Sequence, residues 1–244
     1  MPRLNAGNDP ANWPRPTLQE VDALCQSISS QKGWMGKRDS SAISMAALFG
    51  KREGEITMLR ARDLDFDLDA EQFRVRFYIE KDHKSPYKIC GCGSKNRASW
   101  NYCKNCGSPL ATLSRIVPSR NYEQAQKIRP LKYPLVRYVE EWWNVISDKE
   151  LFLFPVNGQF NFLGPSEEPD FSRNLSGDGL YQIVKRNAET WWPHLFRHVL
   201  ATRFAEAGRG EIDLMDWFDW RRYETARRYI KLGAGRRIVE MGKI

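Results

Sequence analysis

No stretch of this chain approaches the roughly 18 consecutive apolar residues that a membrane-spanning helix needs. The opening MPRLNAGNDPANWPRP also lacks the apolar core of a secretion signal. Together these absences lead us to expect a soluble, cytoplasmic protein with no membrane partner. Histidine is scarce, three residues in 244, so its placement carries information. Cysteine is odd in number and unevenly spread: Cys25 stands alone, while Cys90, Cys92, Cys103 and Cys106 fall within seventeen residues. That pattern argues against a disulfide framework and for a metal site in a reducing compartment. No internal repeat or low-complexity tract interrupts the chain. Positive charge, by contrast, is in excess: 38 Lys and Arg against 30 Asp and Glu, a net charge of +8 and a pI near 9.3. Such a balance favours a polyanionic partner, nucleic acid above all. The length allows one domain with a small insert.

Residues 1–16 read as a loose, Pro- and Asn-rich arm. Thr17 followed by Glu20 is a capping-box pattern that opens a helix. Further helices fit Ser40 to Leu48 and Glu53 to Arg60, the second after a turn at Gly50. In LDFDLDAEQFRVRFYIEKDHK the alternation puts Phe73, Val75, Phe77 and Ile79 on one face of a strand. KIRPLKYPL is its expected partner strand, leading into a helix over VRYVEEWWNVI. LFLFP is a short apolar run, Asn161 to Gly179 reads as a loop, and helices fill most of the remainder. The expected class is α+β, mainly α-helical, with one small antiparallel sheet.

Between the two strands lies KICGCGSKNRASWNYCKNCGSPL, with two cysteine pairs, each followed by glycine, and ten residues between Cys92 and Cys103. A thiolate pair on a tight turn presents two sulfurs to one ion, and two such turns complete a tetrahedron around zinc. The glycines let the backbone fold back beneath the metal. The block, residues 89–110, resembles a zinc ribbon, most clearly in YCKNCGSPL. It departs at the first pair, C-x-C where that family has two intervening residues, and His83 is the nearest substitute for Cys90. The expected ligands of a structural zinc are Cys90, Cys92, Cys103 and Cys106. A knuckle of this size has too few apolar residues for a core, so its folding should depend on the metal.

PHLFRH, Pro193 to His198, holds two of the three histidines. Pro in a first helical turn loses no hydrogen bond. His194, Arg197 and His198 would then share one helix face, with Leu195, Phe196, Val199 and Leu200 packing inward. Three other stretches complete a set: GKREGEI with Arg52 and Glu55, YIEKDHK with Lys81 and Lys84, and DWRRYETARRYI, where Tyr229 follows Trp220 by nine residues.

In the order Arg, Lys, His-x-x-Arg, Trp, Tyr, the chain from about Ser40 to Ile230 resembles the tyrosine recombinases, the phage and plasmid integrases that share their chemistry with type IB topoisomerases. The resemblance implies a recombinase catalytic domain over 17–88 and 111–232, with 233–244 as a C-terminal tail. It also implies a site-specific recombinase that cleaves and rejoins double-stranded DNA through a 3′-phosphotyrosyl intermediate and assembles as a multimer on nucleoid or host-cell DNA. Cleavage by a tyrosine hydroxyl loads negative charge onto the nonbridging phosphate oxygens, which the forked, permanently charged donors of Arg52 and Arg197 can clamp. Tyr229 would be the nucleophile, storing the bond energy so that neither ATP nor a catalytic metal is required. Lys81, with Lys84 in reserve, would protonate the leaving 5′ oxygen. His194 would assist proton handling, Trp220 would donate its indole N–H to the phosphate, and His198 and Glu55 would brace the site. Tyr223 is a nearby rival nucleophile, disfavoured by its spacing from Trp220. Among enzymes, a topoisomerase IB-like or telomere-resolving activity is an alternative that the same site could support, and outside enzymes the alternative is a non-catalytic, zinc-containing DNA-binding regulator on the same fold. It could have lost Arg52, Arg197 or Tyr229, and all three are present. The family usually carries a separate DNA-clamping domain, for which the forty or so residues ahead of the match are too few. The expectation is either a catalytic fragment or a protein that relies on partners or its ribbon for grip, with weak, salt-sensitive binding by this chain alone.

Overall fold

The computed structural model describes residues 13–31, 33–80, 87–97, 100–110, 115–116, 122–157 and 168–241. Helix α1, Leu18–Ser29, starts with the expected box: Glu20 N donates to Thr17 Oγ1 at 3.1 Å, and Thr17 N to Glu20 Oε2 at 2.6 Å. Helix α2, Trp34–Phe49, begins one and a half turns before Ser40. The charged pair Arg38 and Asp39 hides this extension from a hydrophobicity reading. Both are buried, Arg38 donating to Asp39 Oδ1 at 2.8 Å and to the Pro155 carbonyl at 2.9 Å, while Arg186 reaches Asp39 from outside. Helix α3 covers only Glu53–Thr57 rather than running to Arg60. Arg60 instead bridges to Phe152, and its N–H donates to Asp63, which opens the short 3-10 turn Ala61–Asp63.

Strand β1, Leu64–Asp67, pairs antiparallel with β2, Gln72–Glu80, Leu64 facing Val75. Phe73, Val75, Phe77 and Ile79 are all buried, as their alternation predicts. A second compact unit, Tyr78–Gln124, follows; it holds β3 (Tyr87–Ile89), β4 (Lys95–Arg97) and β5 (Arg115–Ile116), with β3 central and antiparallel to both neighbours. Strand β6, Tyr122–Pro130, returns beside β2 in the order β1-β2-β6. KIRPLKYPL is thus a strand only to Pro130. Turns then lead to α4, Val136–Val145, whose Trp142 is fully buried and donates its indole N–H to the Leu153 carbonyl at 2.6 Å.

Strand β7, Pro155–Asn157, pairs antiparallel with β8, Pro169–Asn174. The second half of the expected loop is therefore β8 and the start of α5, Gly177–Asn187, capped where Gly179 N donates to Ser176 Oγ at 3.0 Å. A short strand of partly exposed, polar residues shows no apolar alternation, so the loop-like composition of this segment concealed it. Helices α6 (Pro193–Glu206), α7 (Glu211–Phe218) and α8 (Tyr223–Met241) end the described chain.

The main core joins α1, α2, α4, α5 and the β1-β2 face, and a smaller cluster of Leu200, Ala201, Ala205, Leu214, Phe218 and Ala226 joins α6, α7 and α8. Helices dominate and the sheets are small, matching the expected α+β class, although the described residues form three sheets rather than one. No described helix is long and apolar enough to cross a membrane.

Candidate active site

The last carbonyls of a helix lack partners within the helix. At the end of α2 three successive ones are taken by side chains from three different elements. Arg129 of β6 donates Nε to Leu48 O at 2.8 Å, the Trp217 indole of α7 donates to Phe49 O at 3.1 Å, and Arg197 of α6 donates Nη1 to Gly50 O at 2.9 Å. The two guanidiniums also suit the negative end of the helix dipole. Gly50 is required here twice over. Its φ of +59° is left-handed, and a Cβ would stand 2.9 Å from the Phe218 ring and 3.2 Å from Arg197 Cα.

Two residues beyond Gly50, Arg52 opens α3. Its backbone N–H donates to Glu55 Oε2 at 2.9 Å and its guanidinium to Glu55 Oε1 at 2.7 Å. Glu55 is buried, while the Arg52 side chain is 49% exposed, so the carboxylate anchors the arginine and leaves much of it accessible. This is the bracing role expected of Glu55.

On α6, Pro193 occupies the first turn and Leu195, Phe196, Val199 and Leu200 are buried as expected. Arg197 and His198 are buried as well, at 2% and 4% exposure, so the helix is enclosed on most of its circumference and only His194 of the motif is exposed. Arg197 also donates Nη2 to the Phe218 carbonyl, and its guanidinium lies over the Phe218 and Trp220 rings, 5.2 and 5.5 Å from their centroids. Burial, reinforced by the Arg52 cation, pushes Arg197 down to about 10, still protonated at neutral pH. The His194 imidazolium is disfavoured first by desolvation from surrounding protein and then by Arg197.

Tyr229 sits in the second turn of α8. Its ring stacks on Trp220 at 5.0 Å between centroids and 14° between planes, and its hydroxyl is 3.3 Å from His198 Nδ1. Burial holds the phenol above its ordinary pKa, opposed by the nearby Arg197 and Arg228. Arg197, Trp220 and Tyr229 thus converge, with Arg52 and His194 within electrostatic range of Arg197. The sequence reading gave His198 only a bracing role; its contact with the Tyr229 hydroxyl is new, and 31 residues of separation left no local pattern to reveal it. Tyr223 opens α8 and is 48% exposed, and Arg221, Arg222, Arg227 and Arg228 are exposed as well. Lys81, Lys84 and His83 lie outside the described residues.

In the second unit the four cysteine sulfurs lie within 4.8 Å of one another, Cys90 to Cys106 at 3.5 Å and Cys92 to Cys103 at 3.7 Å. Four thiolates about 2.3 Å from a tetrahedral zinc would stand about 3.8 Å apart. The shortened C-x-C pair therefore fits a tetrahedron with Cys90 included. Each knuckle is closed by a glycine in the left-handed region: Gly93 N donates to Cys90 O at 2.8 Å, and Gly107 N to Cys103 O at 3.0 Å. Asn96, 2% exposed, ties the knuckles together, donating to Ser94 O and Cys103 Sγ and accepting Lys104 N at 2.9 Å. These four residues could hold a metal ion, and an all-thiolate set suits zinc.

No family model matches the sequence, and no curated protein does. Solved structures do match. The XerH site-specific recombinase in a post-cleavage complex with palindromic difH substrate aligns with a TM-score of 0.56 at 15% identity, over 93% of this chain and 51% of that one. The XerA recombinase aligns at 0.50 and 14% identity, over 93% and 62%. The Tn1549 transposon integrase with circular intermediate DNA aligns at 0.50 and 15% identity, over 97% and 67%. The chain spans about half the length of the XerH structures. Its fold is that of the tyrosine recombinases, here with a four-cysteine insertion between β2 and β6.

Proposed function

We propose that this chain is the catalytic domain of a site-specific DNA recombinase or integrase that breaks and rejoins strands through Tyr229. One observation carries the reading: the Tyr229 hydroxyl lies beside His198, under Trp220 and within the field of Arg197, a setting that a merely structural tyrosine does not need. Burial alone disfavours the phenolate. The Arg197 cation offsets part of this, and His198 is close enough to take the phenolic proton as the oxygen attacks phosphorus. The new bond joins Tyr229 Oη to a 3′ phosphate, and the bond to the 5′ oxygen breaks. Lys81 supplies that oxygen's proton, with Lys84 in reserve.

Arg197 and Arg52 stabilise the charge on the nonbridging oxygens. Arg197 is rigid, tied to Gly50 O and Phe218 O, whereas Arg52 keeps an exposed guanidinium to meet DNA. His194, exposed and held toward its neutral form, assists at the phosphate. The Trp220 ring faces Tyr229, and its indole N–H serves the phosphate. Double-stranded DNA is the partner, with assembly as a multimer on it, and zinc held by Cys90, Cys92, Cys103 and Cys106 is structural.

The test is a library of duplexes, each nicked just past a candidate cleavage point, so that the short fragment diffuses away and the covalent intermediate accumulates. A denaturant-resistant adduct is expected with the unaltered chain and with Tyr223→Phe, and none with Tyr229→Phe. Intact DNA binding without any adduct would sink the catalytic reading and favour the regulator.

A further inference from the structure

Two lysines with no part in this chemistry are buried beneath the site. Lys51, between Gly50 and Arg52, is 1% exposed, and Lys127 of β6 is 6% exposed. Both turn to the same carboxylate. Lys51 Nζ pairs with Asp219 Oδ2 and donates to the Trp217 carbonyl at 2.9 Å; Lys127 Nζ lies 3.6 Å from Asp219 Oδ1 and donates to the Asp216 carbonyl. Asp219 is the left-handed cap of α7, at φ +55°.

Glycine takes that conformation without steric cost. Fold stability alone also gives little reason for the ion pairs, because desolvating buried charges commonly cancels their attraction. Here burial outweighs pairing on both sides: it raises Asp219 despite the two lysines and pushes Lys51 down to about 8 despite the carboxylate. What the carboxylate adds over glycine is direction. The residue before it supplies the carbonyl that takes Arg197, and the residue after it stacks on Tyr229. Lys51 in turn lies between Gly50, whose carbonyl takes Arg197, and Arg52.

We infer that Asp219 is a positioning residue for strand cleavage: gripped by Lys51 and Lys127, it fixes the α7–α8 turn that aims the Phe218 carbonyl at Arg197 and lays Trp220 on Tyr229. The inference rests on reading Tyr229 as the nucleophile.

Asp219→Asn keeps the left-handed turn and removes the charge, Asp219→Gly keeps the turn and removes the carboxylate, and Ile28→Ala in α1 is a destabilised reference remote from the site. Single-turnover adduct formation on a saturating nicked duplex is compared with DNA affinity by anisotropy, at a temperature where every variant is folded. Cleavage is expected to fall on the order of tenfold in Asp219→Asn and 100-fold in Asp219→Gly, as misplacement of reacting groups does. Affinity should stay within about threefold, and Ile28→Ala should cleave like the unaltered chain. Near-UV circular dichroism should show the Trp220–Tyr229 signal, identified by its loss in Trp220→Phe, weakened in Asp219→Gly. Cleavage by Asp219→Gly within about threefold of the unaltered rate would overturn the inference. If the unaltered chain forms no adduct, the nucleophile reading fails, and the dichroism decides on Asp219: an unchanged signal overturns its positioning role, and a weakened one supports it.

Discussion

The unit that carries Tyr229 buries Trp142, Phe49, Phe73, Phe77 and Phe154 completely, whereas among the described residues of the four-cysteine unit the buried apolar side chains beside Cys90 and Cys103 are only Leu110 and, at the end of β2, Ile79. The first derives its order from apolar area removed from water. The second has almost none to remove, and its hydrogen bonds run around the cysteine sulfurs: Asn105 N and Asn96 Nδ2 donate to Cys103, and Asn105 Nδ2 to Cys92. The two units also use charge differently. In the larger one, buried lysines and arginines are matched to carbonyls and carboxylates around one helix end. In the smaller one, four cysteine sulfurs converge within 4.8 Å, and a metal ion held there as proposed would balance the charge of their thiolate forms.

The largest effect expected from this contrast is on metal removal. Structural zinc contributes about 10–16 kcal/mol at neutral pH in zinc-finger peptides, so with zinc held as proposed, a chelator, or Cys103→Ser, should erase the dispersed amide resonances of residues 100–110 while the larger unit melts unchanged. A chelator that unfolds the whole chain, or none of it, would break the comparison.

Next in size is a backbone contrast. Gly50→Ala combines a left-handed backbone with a clash against Phe218 and should cost about 2–5 kcal/mol. Gly91→Ala in the smaller unit, with nothing within 4 Å, should change stability by less than about 0.5 kcal/mol. Calorimetry on the two variants measures both.

Smaller again, Asn96→Ala should weaken zinc about 10- to 100-fold, since it removes the link that orients both knuckles. Competition with a chromophoric chelator reads this directly, and an unchanged affinity would mean that the backbone turns alone hold the sulfurs.

The last expected effect concerns pH. Burial pushes Lys51 down to about 8 in the folded chain, against 10.5 for an ordinary lysine, although it faces the Asp219 and Glu55 carboxylates as well as Lys127. Over that interval the unfolded chain binds more protons, so stability should rise with pH from 8 to 10.5 in the unaltered chain. Lys51→Met should lack that rise in denaturant titrations across the interval, and an equal slope in both would show that Lys51 is not the group responsible.

Much of this was legible in local sequence. The capping box at Thr17, the alternating face of β2, the Pro-led helix of PHLFRH and the paired cysteines are each set by interactions within a few residues, so spacing reveals them. Elements that depend on distant partners were not legible. The early turns of helix α2 carry a charged pair, Arg38 and Asp39, satisfied by Pro155 and Arg186, and β8 is a strand because β7 lies beside it. At the site, the residue types of Arg52, Arg197, Trp220 and Tyr229 were readable, but the grip of Gly50 and Phe218 on Arg197 and the place of His198 at the Tyr229 hydroxyl were not.

By itself, then, the amino-acid order determined which chemistry this chain can carry: two fixed cations, a histidine, a tyrosine nine residues after a tryptophan, and four thiols spaced for one ion. Tertiary structure decided which groups meet. It spread the end of one helix across donors from three elements, and it converted a glycine-like turn at Asp219 into a charged joint. The physical reason is range: caps, turns and periodicity act over one or two helical turns, whereas burial and buried charge act between segments that only the completed fold brings together.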